Sequence, residues 1–119
     1  MATIKIKRAY EPIARSDGFR ILVDRLWPRG IKKQDAHFDL WLKEVAPSDE
    51  LRKWFNHEPE KWEAFRKKYL TELQLSPATE ELIEQVQQHT TVTLVYSAKD
   101  EQHNQAVVIK EFLENNEVK

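Results

Sequence analysis

The residues that could do chemistry sit at three points of this chain, each just past an apolar or β-branched run. Arg8 and Tyr10 follow the first run. Asp24, Arg25 and Arg29 follow the second, inside Asp24-Arg25-Leu26-Trp27-Pro28-Arg29-Gly30. Ser97, Lys99, Asp100, His103 and Asn104 follow the third. In an α/β fold the carboxyl ends of buried strands are where ligands bind. If the three runs are parallel strands, these residues gather at one edge, beside the start of a helix. A helix N-terminus offers free N–H groups and a partial positive charge, and arginines add forked contacts to phosphate or carboxylate. The set suits a phosphate, a nucleotide or an acidic metabolite. Arg8, Arg25, Arg29, Ser97, Lys99 and Asn104 are the candidate anion ligands, and Asp24 or His103 is the candidate group that moves a proton.

Each of these residues also has a plainer reading. Asp100 fits the N-cap of the last helix. Asp24 beside two arginines can form ion pairs that fix its loop, and Trp27-Pro28 can anchor that loop by packing. Asp24 and Asp100 make a weak metal signal, and no histidine pair has ligand spacing, so no metal site is expected. With Gly18 and Gly30 as the only glycines, a glycine-rich phosphate loop is excluded. Ser97 lacks the glycine-flanked turn of a hydrolase nucleophile. No residue type in the set names a cofactor.

The elements that must position these residues read as follows. Ile4 and Ile6 alternate with polar residues in a first strand over about residues 3–8. Residues 9–18 are turn-rich, and residues 19–24 form an apolar second strand. Those ten intervening residues are barely enough for a parallel crossover, so a long-looped hairpin competes. Leu40, Trp41, Leu42 and Val45 suggest a short helix stopped by Pro47. Ser48 can cap another, with Leu51, Trp54 and Phe55 facing inward. Pro59 suits the first turn of a longer helix, on which Trp62, Phe65, Tyr69 and Leu73 form one stripe. Ser76-Pro77 starts a further helix with Leu82, Ile83 and Val86 inside. Thr91 to Tyr96 is the third strand, and a last helix buries Ala106, Ile109 and Leu113. The expectation is one α/β domain over residues 1–119, a small, mostly parallel three-stranded sheet covered by about five helices.

Composition agrees with a single folding unit: 119 residues can bury roughly two-thirds of their unfolded surface. Charge is uneven. Residues 1–33 hold nine Lys/Arg against three Asp/Glu, and the remainder holds ten against seventeen. The basic third carries the candidate site, which favours an acidic ligand. Without cysteine there is no thiol catalysis, disulfide or thiolate metal site, as suits a reducing cytoplasm. The first residues lack a secretory core, and no apolar run reaches membrane-spanning length. The chain is therefore expected to be soluble and cytoplasmic, with no membrane partner.

Asp24 to Gly30, followed by Trp41-Leu42-Lys43-Glu44-Val45-Ala46-Pro47-Ser48, resembles the YeaO-like branch of domain-of-unknown-function family 488. The likeness continues through Leu51-Arg52-Lys53-Trp54-Phe55 and His57-Glu58-Pro59-Glu60-Lys61-Trp62. It resumes from Val92 to Asp100 and at His103-Asn104-Gln105-Ala106. The resemblance implies a small α/β domain of bacterial type and parallel pairing of the first two strands, but no established reaction. A longer branch of the family has an aspartate-arginine pair matching Asp24-Arg25. It also tends to carry Cys-His-Arg where this chain has His103-Asn104-Gln105, so its cysteine chemistry does not transfer.

Three functions compete. One is an enzyme or binding domain for a small anion. The second is a nucleic-acid module that stacks a base on Tyr10 or Trp27. The third is a protein-interaction domain using the acidic helices. Oligomeric state is open.

Overall fold

Residues 92–96 of the third predicted strand are all buried, so this strand can sit only where both of its faces are covered. The computed structural model, which describes residues 2–117, places it at the centre of the sheet. The strands are β1 (Thr3–Arg8), β2 (Phe19–Leu22), β3 (Leu40–Trp41) and β4 (Thr91–Tyr96), in the order β1-β4-β2-β3 with every pair parallel. The helices are α1 (Lys33–Ala36), α2 (Asp49–Phe55), α3 (Trp62–Leu75), α4 (Pro77–Gln88) and α5 (Gln105–Glu117).

The pleat sorts the side chains. One face presents Ile4, Ile21, Val23, Val92, Leu94 and Tyr96 to the helices, against Leu51, Phe55, Phe65, Tyr69, Leu73, Leu82, Val86 and Ile109. Opposite them, Leu22 and Val95 are covered by Trp27, Ile31, Phe38 and Trp41 from the chain that follows β2. The helix starts follow the caps read from sequence. Ser48 accepts the Leu51 N–H, and Ser76 accepts the Ala78 N–H with Pro77 in the first turn. Tyr69 is wholly buried and donates its hydroxyl to the Val45 carbonyl at 2.5 Å. Burial pushes the Tyr69 phenol well above its ordinary value.

Four expectations need correction. The sheet has four strands, because Leu40 and Trp41 pair with Ile21 and Leu22 instead of forming a helix. Asp39 explains the switch: its N–H donates to the Arg20 carbonyl, and its carboxylate accepts the Arg20 N–H at 2.8 Å. Only Lys43–Val45 coils, as a single 3₁₀ turn. The first two strands are parallel but do not pair, since β4 lies between them. Trp54 is not core; it is 39% exposed, with the ammonium groups of Lys61 and Lys68 about 5 Å from its ring centre. Asp100 does not cap α5, because Asn104 does so through its side-chain oxygen and the Val107 N–H at 3.1 Å.

The crossover from β1 to β2 passes over β4 at Gly18. Its φ of +66° favours glycine, and a Cβ there would meet the Thr91 carbonyl oxygen at 2.3 Å. Just before it, Asp17 is buried between Lys7 at 3.0 Å and Arg20 at 2.6 Å. Its main-chain carbonyl accepts the Thr93 hydroxyl. Burial alone would raise the Asp17 carboxyl, but hydrogen bonds from Ala14, Lys7 and Arg20 outweigh it and hold the group below its ordinary value of 3.8.

Asp17→Asn leaves the buried Arg20 guanidinium without its counter-charge and is expected to cost about 3–5 kcal/mol in denaturant unfolding at pH 7. A carboxyl with a lowered folded value stabilises the fold above pH 3.8 and loses that contribution as pH falls through the folded value. The gap between native protein and variant should therefore narrow below pH 3.8. A gap that stays constant would contradict this account.

Candidate functional site

Because all four strands run the same way, their carboxyl ends open onto one edge. Two loops leave that edge together, residues 23–32 after β2 and residues 97–104 after β4. With α2 and its flanking turns they enclose a cleft of about 850 Å³.

Asp24 ties the loops together and is 8% exposed. Its Oδ2 accepts the Ser97 N–H at 2.9 Å and the Ser97 hydroxyl at 2.5 Å, and its Oδ1 accepts the Gln105 side-chain amide. Its own carbonyl accepts the Trp41 indole N–H at 2.7 Å. No ion pair holds Asp24 among the described residues, so the arginine-pairing reading of this loop does not apply to it. Burial pushes the Asp24 carboxyl above its ordinary value of 3.8, against the opposing pull of the Ser97 and Gln105 hydrogen bonds.

The other predicted site residues fall into two groups. Arg8 does not line the cleft. Its guanidinium donates to the Ala98 and Ser97 carbonyls at 2.9 and 3.4 Å and supports the loop from behind. Arg25 lines the cleft but donates Nη2 to the Ala46 and Pro47 carbonyls at 3.1 and 3.3 Å, with Asp49 3.9 Å from its Nε. Ser97 is committed to Asp24, and Asn104 caps α5 while donating to the Asp100 carbonyl. Arg29 and Lys99, in contrast, are exposed residues of the cleft lining. Neither side chain makes an ion pair or hydrogen bond among the described residues; the Tyr10 hydroxyl reaches only the Arg29 carbonyl.

His103 is held by Asp100, whose Oδ2 lies 2.9 Å from the ring Nδ1 and whose Oδ1 accepts the His103 N–H at 3.0 Å. The Trp62 indole meets the imidazole edge-on at 5.1 Å between centres. Hydrogen bonds from the Gln102 amide and the His103 ring hold the Asp100 carboxyl below its ordinary value. With Nδ1 as the donor to Asp100, Nε2 is left as an acceptor with no partner among the described residues.

Several residues not assigned to a site from the sequence line the cleft: Gln105, Asp49, Arg52 and His57, with Phe55 and Phe65, which were expected only to face inward. Gln105 contacts Asp24 across 81 residues of chain, and no local pattern announces such a pair. His57 had a faint signal. Asn56 and His57 are consecutive left-handed residues, with φ of 48° and 55°, and that turn ends α2 and carries the imidazole to the cleft. The described residues hold no cluster of side chains suited to a metal ion. Nor do they include a helix long and apolar enough to cross a membrane.

The family model described as "Inactive DUF488-N3 subclade" matches residues 3–119. The chain is similar to the uncharacterised protein YeaO of Escherichia coli (strain K12), with 46% identity over 110 residues, 92% of this chain and 96% of that protein. It is also similar to an uncharacterised protein of Mycobacterium tuberculosis, with 40% identity over 110 residues and 92% of each chain. No solved structure matches it.

Asp24→Asn keeps an acceptor for Ser97 and removes a buried charge. A carboxyl with a raised folded value costs stability while ionised and recovers it as pH falls through that value toward 3.8. The stability of the native protein relative to Asp24→Asn should thus increase as pH falls through this window, opposite in sign to the Asp17 pair. Parallel profiles in acid titration of the melting temperature would contradict the assigned burial.

Proposed function

The chain belongs to the inactive DUF488-N3 subclade of family 488, and from that premise we propose that it binds a small anionic ligand in this cleft without transforming it. One observation carries the reading. Arg29 and Lys99 reach the cleft from different strand ends, and among the described residues neither side chain has a neutralising partner. Arg52 adds a third cation at the same cleft, loosely paired with Asp49 at 3.4 Å. Arg8, Arg25, Ser97 and Asn104 then act as the frame that holds the loops, and Arg29 and Lys99 contact the anion.

The ties of Ser97 and Asp24 support binding without turnover. The Ser97 hydroxyl donates its hydrogen bond to the Asp24 carboxylate, so it lacks the imidazole partner of a Ser–His nucleophile pair. Both Asp24 oxygens accept hydrogen bonds from the loops they join. Asp24 and His103 serve recognition in this reading. The word "inactive" in the family's description supports the same view.

A calorimetric screen of inorganic phosphate, sulfate, carboxylic acids, sugar phosphates and nucleotides tests it. At least one small anion should bind, with an affinity that falls about tenfold or more in Arg29→Ala and in Lys99→Ala, as expected for loss of a charged hydrogen bond. The melting temperature of the free variants should stay near that of the native protein, because both side chains are exposed. If no small anion binds, or if both variants bind as well as the native protein, the cleft is not an anion site.

A further inference from the structure

Resting on that reading, we propose that the anion is a nucleoside monophosphate, with its base turned toward Asp24 and its phosphate toward Arg29 and Lys99. The cleft differs in character from rim to floor. The cations of Arg29 and Lys99 belong to exposed residues, whereas Asp24 is a buried carboxylate of the same cleft. Phe55, Phe65 and Pro28 contribute apolar surface to the lining. A bare phosphate or a short carboxylate would satisfy the rim, leave the apolar wall in water and gain nothing from Asp24. The complementary ligand has an anion at one end, a flat apolar body, and N–H donors at the other end.

The acceptor count at Asp24 leaves room for such a donor. A carboxylate offers about four acceptor positions. Among the described residues three are filled, two on Oδ2 by Ser97 and one on Oδ1 by Gln105. The vacant position on Oδ1 can take an exocyclic amino or ring N–H of a nucleobase. His103, whose Nε2 has no partner among the described residues, is in the same lining and suits a ribose hydroxyl, which can donate or accept. The cleft volume of about 850 Å³ lies in the range that takes ligands of this size.

Calorimetry on the full chain should compare the four common ribonucleoside monophosphates with ribose 5-phosphate and inorganic phosphate. At least one nucleotide is expected to bind about tenfold or more tighter than ribose 5-phosphate, as a charge-assisted hydrogen bond to the base would give. Asp24→Asn should erase that difference, so that nucleotide and ribose 5-phosphate bind the variant with equal affinity. Should Asp24→Asn fail to fold, nuclear Overhauser contacts between base protons and the rings of Phe55 or Phe65 in the native protein decide the matter; their absence overturns the proposal. Equal affinity for nucleotide and ribose 5-phosphate would also overturn it, while leaving the anion site intact. If inorganic phosphate or ribose 5-phosphate binds and no nucleotide does, the inference again fails alone. Silence from every probe removes both.

Discussion

Three hydrogen bonds to one buried carboxylate hold the working edge of this protein together. Asp24 sits just past β2, and its donors come from Ser97 just past β4 and from Gln105 at the start of α5. Parallel strands have no hairpin to keep their ends in register, so the loops that leave them need a contact of their own. Asp24 supplies it, and through its main-chain carbonyl it also anchors Trp41 of β3. The cleft exists because these elements meet at one side chain. That arrangement carries a cost, since burial without a counter-ion raises the carboxyl's proton affinity. A fully apolar residue would avoid the cost and leave the Ser97 and Gln105 donors unpaired.

The opposite end of β2 is organised by a different electrostatic solution. There Asp17 has two cations, Lys7 and Arg20, and its proton affinity is lowered instead. The contrast separates frame from site. The paired aspartate fixes the crossover beneath β4. The one without an ion pair among the described residues lines a cleft whose rim cations, Arg29 and Lys99, have no partner among them either. Between the two ends, the aromatic cluster of Trp27, Phe38 and Trp41 seals the sheet face that no long helix covers. Trp27 is therefore a packed anchor, with its indole N–H on the Ile31 carbonyl at 2.6 Å.

Much of this was legible where the cause is local. Strands β1, β2 and β4 follow from alternation and β-branching, and α2 and α4 from the Ser48 and Ser76-Pro77 caps. The Asp24-to-Gly30 loop stood out because charged residues follow an apolar strand. What stayed hidden depends on distant partners. Leu40 and Trp41 form a strand because β2 has a free edge, which residue spacing does not reveal. Arg8 and Arg25 read as anion ligands, yet each guanidinium donates to carbonyls of other segments. Gln105 carried no role in the sequence, and its partner Asp24 lies 81 residues away.

The central claim is that ligand recognition occurs at the carboxyl ends of β2 and β4. Amide chemical-shift mapping of the ¹⁵N-labelled protein during titration with nucleoside monophosphates tests it most directly. The account predicts saturable shifts concentrated in residues 24–30 and 97–105, with residues 70–83 unmoved, although these flank a second cleft of about 620 Å³ beside α3, α4 and α5. Shifts confined to that second cleft, or none at millimolar ligand, would contradict it.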